Sequence, residues 1–259
     1  MDDGIQKRLS AGANDFRPRC IPLDAQKPPL PGEVHLWFLD LCILFNSLRA
    51  ALGTPGECVP AATAGQLLMA RRFYLRLLLG AYLGLPGKEV KINRKNRGKP
   101  VLDVSVHPEE IHFSMAKSED RLLVGISASS HIGVDLEPAN RQACNALGVA
   151  KRYFSPAEST ALAELDPGFL QPSFLRVWAC KEAVVKASGM GIANQFARFT
   201  VDTDITNPAA VLDFDGKGPG EWSLALVRPQ VDFLGAVAIE DKLSALKTFQ
   251  LLPAAHRTG

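Results

Sequence analysis

The stretch Trp178–Gly191, WACKEAVVKASGMG, leaves little freedom in what the surrounding chain can build. Ala179, Ala183 and Ala187 recur every four residues, and Gly189 and Gly191 act as stop signals, so the spacing predicts a helix. Glu182 and Lys186 lie four apart and share one face of it. Alone, an exposed pair of this kind contributes only about 0.3–0.5 kcal/mol. Upstream, however, IGVDLE ends on Asp135 and Glu137, whose spacing of two puts both carboxylates on one face of a strand. Three acids from two elements, with a lysine beside the third, are suited to holding a magnesium ion next to a phosphate.

The 259 residues allow one large domain or two of about 130. A hydrophobic content of 47% is ample for a packed core. With a net charge of +2 the protein as a whole is no polyanion binder, so any basic function rests on local clusters. Cys20, Cys42, Cys58, Cys144 and Cys180 are scattered and odd in number, which predicts reduced thiols in a cytoplasmic protein and argues against a disulfide frame or zinc site. No run of about 18 apolar residues is present, so no membrane span is expected. The first twenty residues carry acids and lack the apolar core of a signal peptide.

Residues 1–32 are polar and proline-rich and read as an extended or loosely ordered lead-in. VHLWFLDL (34–41) reads as a first strand, followed by a short helix ending at Gly53-Thr54-Pro55-Gly56. Residues 61–84 predict a long helix, with Leu67, Leu68, Phe73, Leu75, Leu78, Leu79 and Tyr82 on the apolar face and Arg71, Arg72 and Arg76 on the other. The basic run between Lys88 and Lys99 closes on Gly98-Lys99-Pro100, a tight turn where backbone and ammonium can meet a phosphate or a base. Residues 111–116, 121–127 and 132–137 are spaced like neighbouring strands of a meander. Ser155-Pro156-Ala157-Glu158 is a helix start, and strand-like pieces follow Gly191 near 197–203, 211–214, 221–227 and 231–239.

Magnesium prefers oxygen ligands: a few carboxylates, substrate phosphate and water. Two bare carboxylates about 4 Å apart repel by about 4 kcal/mol at an effective dielectric near 20. Three together therefore imply a cation or compensating basic side chains such as Lys181 and Lys186. The metal arrangement makes Lys186 a point charge on a phosphoryl group. A nuclease core, with its Glu-x-Lys on a strand, does not fit the helical spacing of Glu182 and Lys186. A nucleophile elbow is absent, and no histidine is placed as a triad base.

Taken in order, Gly133, Asp135 and Glu137, then Phe154 and Glu158, then Trp178, Lys181, Glu182, Ala183 and Lys186 resemble the motifs of the 4′-phosphopantetheinyl transferases of the larger, surfactin-synthetase-activating type. Arg72 and Arg76 on their Leu-rich helix, and the Arg97-Gly98-Lys99-Pro100 turn, extend the resemblance over about residues 33–240. It implies an α+β fold of two pseudo-symmetric halves, each a small sheet packed on a long helix. The halves divide as 33–120 and 121–259, with the acids in the second. The implied reaction moves the phosphopantetheine arm from coenzyme A to a serine of an apo acyl-, aryl- or peptidyl-carrier protein and releases 3′,5′-ADP. By the same resemblance Asp135, Glu137 and Glu182 hold Mg2+ on the pyrophosphate, Lys186 contacts it, and a glutamate, Glu182 before Glu137, takes the serine proton. Arg72, Arg97, Gly98, Lys99, Pro100, Phe113, Ser114, the position of Met115, and Lys181 belong to the coenzyme A contacts. The protein is expected to be a cytoplasmic monomer that binds neither nucleic acid nor membrane.

One departure stands out. The family pattern F-N-x-S-H-S reads Ile111-His112-Phe113-Ser114-Met115-Ala116 here, with methionine where a histidine normally reaches a coenzyme A phosphate. Losing a hydrogen bond to a charged group costs about 1.5–3 kcal/mol. This keeps a second reading, a catalytically impaired coenzyme A-binding paralogue, beside the first.

Overall fold

All eight residues of the strand Glu33–Asp40 are buried, as expected of an apolar run that packs on both faces. The structure is a computed structural model describing residues 16–52, 62–94, 98–107, 111–129, 131–189 and 195–254. The first fifteen residues of the lead-in, the Gly53-Thr54-Pro55-Gly56 stop, Arg97 and Gly191 lie outside the described residues. In chain order the elements are β1 (Arg17–Cys20), β2 (Glu33–Asp40), α1 (Leu41–Leu52), α2 (Ala64–Leu83), β3 (Ile92–Arg94), β4 (Pro100–Leu102), β5 (His112–Ser118), β6 (Arg121–Ser127) and β7 (Ile132–Pro138). They continue as α3 (Ala146–Tyr153), α4 (Pro156–Ala163), α5 (Pro167–Ser188), β8 (Phe199–Val201), β9 (Val211–Phe214), β10 (Trp222–Val227), β11 (Phe233–Glu240) and β12 (Ala245–Leu252).

The larger sheet runs β1-β12-β2-β6-β5 and the second β10-β11-β7. Alternation along the strands stacks them. Trp37 and Leu39 of β2 join Leu78 and Leu79 of α2 in one core. Val34, Leu36 and Phe38, on the opposite face, meet Val134, Leu136, Val237 and Ile239 of the second sheet. The far face of that sheet, Leu234, Ala236 and Ala238, packs on Val177, Ala183 and Val184 of α5. The order of layers is therefore helix, sheet, sheet, helix, a mixed α+β arrangement.

Several details go beyond or differ from the sequence expectations. Residues 17–20, read as extended or loosely ordered, form a strand paired in parallel with β12. β12 itself, a strand the periodicity did not single out, lies between β1 and β2. The expected meander breaks after β6: β5 and β6 pair, but β7 crosses to the other sheet and pairs with β11. A division after residue 120 therefore cuts the β5–β6 hairpin, because β6 pairs with β2 and β5. On α2 the buried stripe is Ala70, Tyr74, Leu75, Leu78, Leu79 and Tyr82, whereas Leu68 and Phe73 are exposed. The stripe follows a register in which Tyr74 donates its hydroxyl to the Leu44 carbonyl of α1 (2.9 Å), a bond that Phe73 cannot make.

Candidate active site

β7 and α5 meet at closer range than ordinary side chains allow. A methyl group on Gly133 would lie 1.9 Å from the Ala183 carbonyl oxygen, so only glycine fits beneath the helix there. Ala183 and Ala187, both buried, are the matching small residues on the helix. Because Ile132, Val134 and Leu136 face the inter-sheet core, Gly133, Asp135 and Glu137 face α5. Gly189, at φ 67°, ends the helix in the left-handed conformation.

This contact brings the expected acids and lysine together. Lys186 Nζ donates to Asp135 Oδ1 at 2.6 Å and lies 3.8 Å from Glu182 Oε2. Glu137 accepts from Arg141 Nη1 at 2.5 Å, and that guanidinium stacks over the Trp178 ring, 5.5 Å from its centroid. Burial pushes the Glu137 carboxyl above its ordinary range, aided by the Asp135 charge and opposed by Arg141. Burial likewise raises Glu182; Lys186 opposes it, and Asp135 and Glu137 add to it. The other oxygen of Asp135, Oδ2, is buried without a hydrogen-bond partner. Among the described residues no three acids, histidines or cysteines converge as a metal-binding group. In this arrangement Lys186 bridges two of the acids and Arg141 takes the third. The orphaned Asp135 Oδ2, and the raised carboxyls of Glu137 and Glu182, nevertheless fit an oxygen-liganded dication.

The remaining expected contacts divide. Lys181, expected among the coenzyme A contacts, is held inside the protein. Its ammonium is fully buried, bonded to the carbonyls of Phe196 and Phe199 (both 2.6 Å) and to Glu158 Oε2 (2.8 Å). Glu158 also caps α4 through the Ser155 N–H (2.8 Å) and accepts from Val201 N (2.7 Å), so the pair ties α4, α5 and β8 together. Ser114 is buried on the β5 face toward β7, and its hydroxyl accepts from Val134 N (3.2 Å). Met115 faces the other way and packs at the edge of the core under α2. The Lys99 ammonium, expected on a phosphate, donates to the carbonyls of Ile132 (3.0 Å) and Lys186 (2.7 Å).

A cavity of about 470 Å³ lies beside this cluster. Asn93, Arg94, Lys99, Phe113, His131 and the last turn of α5 at Ser188 are among its walls. Pro100 opens β4, and Gly98 accepts from Arg94 Nη1 (3.2 Å), so the turn borders this space. Arg72 is exposed on α2. Burial, then the charges of Arg72 and Arg94, hold Arg71 below its ordinary pKa. A larger, more open depression of about 1070 Å³ lies between residues 18–26 and α1 and contains none of the expected residues.

Arg141 escaped the sequence reading, and Arg71 and Arg94 entered it only as members of basic clusters. Arg141 had a signal, since it stands four residues after Glu137; Arg71 lies on the polar face of α2, and Arg94 in a basic stretch that any solvated loop can show.

The chain is similar to known proteins over much of its length. The family model of the 4′-phosphopantetheinyl transferase superfamily matches residues 131–238, which cover β7, α5 and most of β11. The chain is similar to the 4′-phosphopantetheinyl transferase HetI of Nostoc sp., 31% identical over 231 residues, 82% of this chain and 92% of that protein. It is 25% identical over 211 residues to a 4′-phosphopantetheinyl transferase of Bacillus subtilis, covering 73% of this chain and 91% of that one. The match to the human L-aminoadipate-semialdehyde dehydrogenase-phosphopantetheinyl transferase is 25% over 169 residues, 60% of this chain and 55% of that protein.

Proposed function

Since the chain belongs to the 4′-phosphopantetheinyl transferase superfamily and is an enzyme of that class, we propose that it transfers the phosphopantetheine group of coenzyme A to a serine of an apo acyl-, aryl- or peptidyl-carrier protein. The serine oxygen forms the new bond to phosphorus, the bond to 3′,5′-ADP breaks, and the serine proton passes to a carboxylate. The observation that carries this reading is Asp135, held by Lys186 through one oxygen and unpartnered at the other, beside a cationic cavity.

Asp135, Glu137 and Glu182 would hold Mg2+, which neutralises pyrophosphate charge when bound. Lys186 places a further positive charge on the same face, and Arg141 fixes Glu137. Glu182, buried and facing Lys186, is the acceptor for the serine proton, directly or through water. The nucleotide end of coenzyme A occupies the cavity beside the Gly98-Lys99-Pro100 turn, which Lys99 and Arg94 line, with Arg72 and Arg94 toward its phosphate. Most of the rate enhancement then comes from position and charge. The same reading has two pseudo-symmetric halves working as a cytoplasmic monomer, apart from nucleic acid and membrane. The thiols of Cys20, Cys42, Cys144 and Cys180 are free, and among the described residues no helix is long and apolar enough to cross a membrane.

The binding-only alternative rested on Met115. Its side chain packs at the core margin and is not among the cavity walls, so that motive weakens. Incubation with coenzyme A, Mg2+ and a panel of apo carriers, followed by carrier mass measurement, tests the assignment. A carrier that gains one phosphopantetheine supports it; a panel left unmodified by protein that binds coenzyme A tightly favours the alternative.

A further inference from the structure

Lys99 comes from the β3–β4 turn, outside the two elements that carry the acids, yet it touches both. Its ammonium donates to the carbonyl of Ile132, the first residue of β7 and three before Asp135. It also donates to the carbonyl of Lys186, in the last turn of α5. Lys186 is the residue whose own ammonium holds Asp135 at 2.6 Å. The last four carbonyls of a helix have no partner within it, and a cation there complements the helix dipole. Half-buried Lys99 thus bridges the strand and the helix at the point where Gly133 lets them touch. The turn behind it is braced by Arg94, which donates to the Gly98 carbonyl at 3.2 Å.

We propose that Lys99 is a positioning residue of the transfer reaction, fastening the α5 terminus to β7 so that Asp135, Glu182 and Lys186 keep their register. This goes beyond the proposed function but rests on it for its kinetic consequence. A phosphate contact remote from the reacting centre would act as uniform binding and change KM. A clamp beneath the acids changes kcat, because small misplacements at the reacting centre cost up to about 100-fold.

The test combines kinetics with amide hydrogen exchange on the full chain. Lys99→Met is expected to lower kcat about 10- to 100-fold, with the KM for coenzyme A within about threefold of wild type. Exchange in the last turn of α5 and the start of β7 should quicken. Lys99→Arg, which keeps paired N–H donors, should recover most of kcat. A rise in KM above tenfold at unchanged kcat would overturn the clamp in favour of a phosphate contact, and so would unaltered exchange. A variant that only melts earlier, with wild-type kcat per folded molecule, would reduce Lys99 to a stabilising role and also overturn it. A wild type that modifies no carrier would refute the proposed reaction; exchange alone would then decide the clamp, with unchanged protection counting against it.

Discussion

Asp135 has one oxygen on Lys186 and a buried second oxygen on nothing, and that asymmetry decides what its replacement does. Asp135→Ala is expected to lower turnover by at least about 100-fold with little change in melting temperature. The lost ion pair is offset by removal of a desolvated, unpartnered carboxylate oxygen. Full activity in that variant would remove Asp135 from the site. Lys181 gives the opposite outcome. Lys181→Met leaves Glu158 charged and buried, so it should destabilise the fold by about 3–5 kcal/mol by denaturant titration while leaving the KM for coenzyme A of the folded fraction nearly unchanged. A raised KM at wild-type stability would restore Lys181 to the coenzyme A contacts. Asp135, Glu137, Glu182 and Lys186 were legible because spacings of two and four survive folding as faces. The fate of Lys99, Lys181 and Ser114 was not. A long or hydroxyl side chain looks the same in sequence whether it meets ligand or a backbone carbonyl brought close by tertiary packing.

At the scale of elements, the Gly133 contact is what makes β7 and α5 one unit. Gly133→Ala should push the helix off the strand, costing about 1–3 kcal/mol of stability and a disproportionate share of kcat, since it moves the two acid-bearing elements apart. A variant equal to wild type in both melting and turnover would show that the approach is not needed. Glycine in a strand already hinted at such a close contact, and the helix caps at Ser155 and Gly189 were readable from side-chain chemistry. Strand pairing was not. β6 and β7 have the spacing of a hairpin, but both carry apolar faces that can stack between sheets as well as pair within one. β12, ALKTFQLL, interleaves Lys247 and Thr248 with its apolar residues because one stretch meets Glu33 and another the core, which blurs a simple alternation.

For the molecule as a whole, the larger sheet is closed by a buried polar chain. Trp37 Nε1 donates to the Tyr82 hydroxyl (2.9 Å), which donates in turn to His35 Nδ1 (2.7 Å), and His35 Nε2–H reaches Glu33 Oε1 (2.7 Å). Lys247 of β12 completes the pair with Glu33. Burial holds His35 below its ordinary pKa of 6.5, although Glu33 opposes the shift. The unfolded chain then takes up the proton first as pH falls. The stability from neutral His35 is full above about 6.5 and is lost below it, by at most about 1.4 kcal/mol per pH unit. Burial would raise Glu33, but bonds from Lys247 and His35 outweigh it and hold the carboxyl at about 2, so a second loss falls between its ordinary 4.5 and that value. Calorimetric melting temperatures should decline from pH 6.5 to 5, and more shallowly in His35→Gln; equal slopes would exclude His35 as the cause. Elsewhere in the fold, β7 and α5 bring Asp135, Glu182 and Lys186 together, and the end of α5 joins the β3–β4 turn in walling the cavity. The most direct measurement is the mass of an apo carrier protein after incubation with the wild-type chain and coenzyme A, with Mg2+ and again with a chelator. The account predicts one phosphopantetheine added at serine in the first sample and almost none in the second, whereas equal modification in both would contradict the acidic site as the seat of the reaction.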